Sequence, residues 1–253
     1  MADFLDSRRG HSPLSDFLHL TMNVGFAIAV VVLAMATGAF WPSLLLVIVS
    51  KWRVFLVRPR FWWVSIEANL VDLMVGVSVA YLAFFAGDNF LLSATMLVFY
   101  AVWLTTIKPR SSSLAHATQA GVMLLLTSTA LMTFGYSYEP LFVIGGAFAV
   151  AYAAANHYLS STDEHATYLS LVFGLLNAEL WWILYHWNIY YVVPWLNLMV
   201  PQAALLTLLL GFVGKTLVDY KAHPDKSKLV APAVFSSILL LTILISFSDA
   251  IRY

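Results

Sequence analysis

Between Leu20 and Ile251 the chain reads as a succession of apolar runs of about 20 residues, each ended by charge, proline or a turn such as Gly87-Asp88-Asn89. A hydrocarbon core about 30 Å thick takes about 20 apolar residues per crossing helix. In lipid the backbone must satisfy its own hydrogen bonds, which makes each such run a helix. The pattern predicts an all-α fold, a polytopic integral-membrane helical bundle. Composition supports this, because 61% of the 253 residues are hydrophobic and only 10% charged, too few to clothe a soluble globule.

Cutting at the interruptions gives nine transmembrane helices: Leu20–Thr37, Ala39–Val57, Phe61–Ala86, Phe90–Ile107, Ser111–Phe134, Pro140–Tyr158, His165–Trp187, Val193–Val218 and Leu229–Ile251. Eight result if residues 20–50 form one helix. Residues 1–19 then form a cytoplasmic N-terminal segment, and 20–253 a single transmembrane domain. Cytoplasmic loops hold the excess of Lys and Arg. With nine spans and the N-terminus inside, 12 of the 13 basic residues fall on the cytoplasmic face and only Arg252 outside. The first residues lack the pattern of a cleavable signal, and the compact loops point to a cell inner (plasma) membrane.

Charge and cysteine exclude several functions. Thirteen cations balanced by 13 anions make no basic field for nucleic acid. Without cysteine there is no disulfide, thiolate metal site or thiol catalysis. The histidines and acids match no tight metal motif, and the sequence calls for no cofactor.

Two constellations could carry function. On the third helix Ser65, Asn69, Asp72 and Gly76 share one face by their spacing. Asp72 lies about 16 Å from Phe61 at 1.5 Å per residue, deep in the membrane. Glu179 is a second such acid, with Asn177 beside it and His186 two turns away on the same face. Neither acid has an evident basic partner at its depth, so Asp72 and Glu179, with Asn69, Asn177 and His186, are candidate proton- or ion-coupling groups. Glu67 is expected to pair with Arg58, Arg60 or Lys51. Pro194 and Pro201 bracket the start of the eighth helix, where a kink or partly unwound turn is expected, and Gly145, Ala149 and Ala153 form a small-residue packing face on the sixth.

The second constellation is basic. Lys51, Arg53, Arg58, Arg60, Lys108 and Arg110 gather at helix ends on the inner face, where they would hold anionic lipid head groups or phosphate. Lys51 to Pro59 reads K-x6-R-P, which resembles the first motif of the type 2 phosphatidate phosphatase family. That resemblance implies a phosphate clamp by Lys51 and Arg58. The family's P-S-G-H segment has no counterpart, since the chain offers only Ser111-Ser112-Ser113-Leu114-Ala115-His116.

The leading expectation is a small-solute or ion/proton-coupled permease. The first alternative is an integral-membrane enzyme acting on a lipid or phosphorylated head group, with Arg58 and Arg60 as clamps and His116 or His157 as acid/base. The second is a non-catalytic membrane subunit of a larger complex. Expected partners are the bilayer, its anionic head groups, and a further copy of the chain or a partner subunit.

Overall fold

A computed structural model describes residues 13–56, 58–135, 139–160, 165–187, 189–222 and 227–245. Nine α-helices account for most of them: α1 (Pro13–Thr37), α2 (Phe40–Val49), α3 (Trp62–Ala86), α4 (Phe90–Val102), α5 (Ser113–Gly135), α6 (Pro140–Leu159), α7 (Ala166–His186), α8 (Gln202–Ala222) and α9 (Ser227–Ile245). Seven stretches are long and apolar enough to cross a membrane: α1, α3, α4 together with the helical turn that extends it to Ile107, and α5 to α8. Short α2 and the apolar stretch Val230–Ile243 of α9 fall below that length, so nine full crossings are not established.

The departures from the expected boundaries have local causes. Gly38, at φ +57°, breaks residues 20–50 into two helices that pack on each other, which removes the single-helix alternative. The second predicted helix stops at Val49 instead of Val57. Ser50 and Lys51 turn the chain, and 3₁₀ turns at Trp52–Leu56 and Pro59–Phe61 lead into α3. The eighth predicted helix begins at Gln202, not Val193. Tyr190–Val193 is aromatic and β-branched, which suits a strand, and it pairs antiparallel with Leu198–Pro201 through a turn at Asn197, φ +48°. Pro194 and Pro201 therefore serve this hairpin (β1, β2) and not a helix kink.

Helix α3 is central, packed by α1, α2, α4, α5 and α6. Helix α2 runs antiparallel to it: Phe40 stacks edge-on against Tyr81 at 5.5 Å, Val47 lies at Gly76, and Lys51 reaches Asp72. Ser43 donates to the Val30 carbonyl at 2.8 Å and fixes α2 on α1. Ser78 reaches Thr127 of α5 at 3.0 Å. Helices α5 to α8 form the other half, with α9 on α8. Close approach of α6 and α7 comes from Gly174, where a Cβ would lie 3.2 Å from the Phe148 carbonyl oxygen. Gly145 and Ala149, part of the expected small-residue face, are instead exposed.

One end of the bundle is basic. There the start of α3, the end of α4, the start of α5 and the ends of α6 and α8 meet, as Asn156–Glu67 and Tyr158–Asp219 pairs show. At the opposite end Asn89 caps α4 and donates to the Leu196 carbonyl of the hairpin turn at 2.7 Å.

Gly76 tests this arrangement. A Cβ there would come within 2.7 Å of Tyr100 Oη and 2.9 Å of Val47 Cγ1, and such overpacking costs about 1–3 kcal/mol. Thermal unfolding in detergent should therefore fall for Gly76→Ala and stay unchanged for Gly145→Ala, which meets nothing within 4 Å. Equal melting of both variants would contradict the packing of α2 and α4 on α3.

Candidate functional site

Asp72 is 8% exposed, and three side chains neutralise and hold its carboxylate. Oδ2 receives Lys51 Nζ and, at 2.7 Å, Lys108 Nζ. Oδ1 accepts from Trp103 Nε1 at 2.9 Å. The expectation that Asp72 lacks a basic partner is thus corrected. Lys51 and Lys108, two of the cations expected at lipid head groups, reach it, Lys108 with its side chain still 42% exposed.

Each partner is delivered by an irregularity in a helix. Helix α2 is only ten residues, about 15 Å at 1.5 Å per residue, so the turn after Val49 leaves Lys51 beside the middle of α3. Helix α4 ends in a π-helical turn, Trp103–Ile107, in which the Lys108 amide bonds the Trp103 carbonyl at 2.9 Å. The extra residue in such a turn re-aims side chains and often marks functional positions. Here it sets Trp103 and Lys108 on one carboxylate.

Gln119 holds the next segment. It is 5% exposed, and its Nε2 donates to the carbonyls of Ile107, Lys108 and Arg110 at 2.8, 3.3 and 3.1 Å. Its Oε1 meets His157 Nε2 at 2.8 Å, and His157 stacks on His116 with ring centroids 4.9 Å apart. The chain turn that carries Lys108 is therefore clamped from α5 and α6. His116 Nδ1 is buried without a partner.

Two ammonium groups on one carboxylate leave one positive charge in excess. Loss of one proton leaves a balanced pair, with the neutral amine still in hydrogen-bonding reach.

The other candidates lie elsewhere. Asn69 is half-buried and donates to the Ser65 carbonyl of its own helix at 2.9 Å, not to Asp72. Asn177 is fully buried, with Nδ2 on the Phe173 carbonyl at 2.8 Å and Oδ1 unpartnered. Glu179 is exposed, because two residues turn a helix by about 200° and set it opposite Asn177. Helix α7 packs on α6 and α8, whereas Asp72 faces the α2 turn and α4, so Asp72 and Glu179 do not meet. His186 is exposed, with Nδ1 on the Trp182 carbonyl at 2.8 Å. Arg58, Arg60 and Arg110 are exposed, and Arg60 lies 4.6 Å above the Phe61 ring. Arg53 lies in the first 3₁₀ turn. Glu67 pairs with Asn156 and not with the expected cations. Asp163, beside the histidines of the sixth and seventh helices, lies outside the described residues, among which no three His or acid side chains gather for a metal.

Trp103 was not visible as a partner in the sequence, whereas His116 and Gln119 early in the fifth helix and His157 late in the sixth read as one cluster at the inner face, and the structure brings these three together. One signal was present: counted from Ala39, Lys51 lies about 18 Å into the membrane at 1.5 Å per residue, close to the depth of Asp72 counted from Phe61.

Fold and site together define a multi-pass helical bundle with a buried, charge-paired centre. Compared with protein-family models, curated proteins and solved structures, the chain matches none.

The pairing is testable by stability. Removing the Asp72 charge strands two ammonium groups, and breaking a buried pair costs about 3–5 kcal/mol. Melting temperature in detergent should therefore fall well below wild type in Asp72→Asn and stay close to it in Glu179→Gln. Equal melting of the two variants would contradict the assignment.

Proposed function

We propose that the protein is a small permease of the plasma membrane, with its basic end in the cytoplasm and Lys51–Asp72–Lys108 as its ion-coupling centre. The observation that carries this reading is a buried carboxylate held by two lysines at a broken helix. Ionisable groups inside a membrane bundle are costly and mark ion or substrate paths. Secondary carriers place such groups where a helix is interrupted, since freed backbone and side chains there can bind a solute. The turn after α2 and the π turn of α4 supply two interruptions on one residue.

The excess positive charge defines the solute as a small anion. With Lys51 protonated, the centre carries one uncompensated charge, which an anion balances. With Lys51 neutral, Lys108 and Asp72 balance each other and the anion is released. Proton and anion then move together. Expected coupling through Glu179 has no place in this scheme, because that residue is remote from Asp72.

A second reading draws on Glu179 itself. A carboxyl on an exposed face among Leu175, Leu176, Trp182 and Ile183 suits a partner subunit whose helix neutralises it.

Purified protein in proteoliposomes separates the two. An inward gradient of nitrate or phosphate should acidify the lumen, read by a trapped pH-sensitive dye. The acidification should vanish in Asp72→Asn and Lys51→Met and persist in Glu179→Gln. Silence of the wild type toward every anion, or full acidification in Asp72→Asn, would sink the carrier reading.

A further inference from the structure

A cavity of about 280 Å³, which Asp72 does not line, lies between α5, α6, α7 and α8. Its walls include Gly121, Leu124, Phe173 and Gly211, and among the described residues its polar side chains are Tyr158 and Lys215. Glycines make the space, since a Cβ at Gly211 would fall 2.8 Å from Leu124 Cδ1. Water has few partners in such a volume, and apolar cavities stay dry.

Position and mouth identify the occupant. From Leu208 to Val218 the cavity follows α8 for ten residues, about 15 Å at 1.5 Å per residue. That is half of a core about 30 Å thick, the depth of one leaflet. The lining residues Leu176 of α7 and Phe212 and Leu217 of α8 are 49%, 47% and 62% exposed, so the cavity opens sideways between these helices. A mouth at that depth meets hydrocarbon chains. At the basic end the walls finish on a charge pair: Lys215 Nζ lies 2.5 Å from Asp219 Oδ2, and Tyr158 donates to Asp219 Oδ1 at 2.8 Å. An ammonium beside a carboxylate complements a head group that carries a phosphate and an amine.

We propose that this cavity is a lipid site. It takes one acyl chain of a phospholipid from the leaflet at the basic end, with the phosphate at Lys215. The site stands independently of the carrier reading.

Native mass spectrometry of the full chain, purified in mild detergent and exposed to a phosphatidylethanolamine–phosphatidylglycerol mixture, tests it. Gly214→Leu fills the wall, where a Cβ meets only the Phe173 ring at 3.9 Å, an ordinary contact. Leu176→Trp covers the mouth from an exposed position, so neither change disturbs the core. Wild type should retain one phospholipid mass that both variants lose. The proposal is overturned if both variants retain that lipid or if wild type carries none. It is equally overturned if the variants split a dimer while lipid content is unchanged, which would make the groove a seam between copies.

Discussion

A carboxylate cannot be left alone away from water, and the position of Asp72 in α3 makes that requirement the organising constraint of this bundle. Removing one member of a buried ion pair costs about 3–5 kcal/mol, mainly because the remaining charge is stranded. Asp72 is served by Lys51, Lys108 and Trp103, drawn from two other stretches of chain. To bring them there, α2 stops after ten residues and α4 widens into a π turn. Gly76, one turn beyond Asp72 on the same face, lets Val47 and Tyr100 close over α3. Both irregular stretches of backbone therefore serve this one charge.

The same logic reaches outward. Gln119 satisfies three carbonyls of the turn that bears Lys108, and His157 holds Gln119 in turn. The polar groups of the basic end thus form a supporting shell for one lysine, and they explain why α5 and α6 carry amide and imidazole groups in otherwise apolar helices.

Much of this fold was legible in the sequence because bilayer thickness sets the length of an apolar run. Helices α3 to α7 fall close to their expected positions, with ends marked by Gly87-Asp88-Asn89 and by Pro140. Other features were hidden for physical reasons. No proline or glycine ends α2 at Val49, since its stop is dictated by the pairing of Lys51 across to α3. The hairpin at Tyr190–Pro201 is apolar but for Asn197, and an apolar run near the headgroup level reads as helix until its β-branched and aromatic content is weighed. The site was half legible: the depth of Asp72 marked it as unusual, but its partners are up to 36 residues distant in sequence and only packing brings them together. Pairing Glu179 with Asp72 relied on depth alone. The exposed face of α7 that carries Glu179 could be assigned only once its neighbours α6 and α8 were known.

The account rests on Lys51 and Lys108 sharing the Asp72 carboxylate. The most direct measurement is ¹⁵N NMR of lysine side-chain nitrogens in selectively labelled protein, followed through a pH titration. The Lys51 signal, assigned by its loss in Lys51→Arg, and the Lys108 signal should both shift in Asp72→Asn, because the two ammonium groups lose their shared counter-charge. If Asp72→Asn moves neither signal, the paired centre does not exist as described.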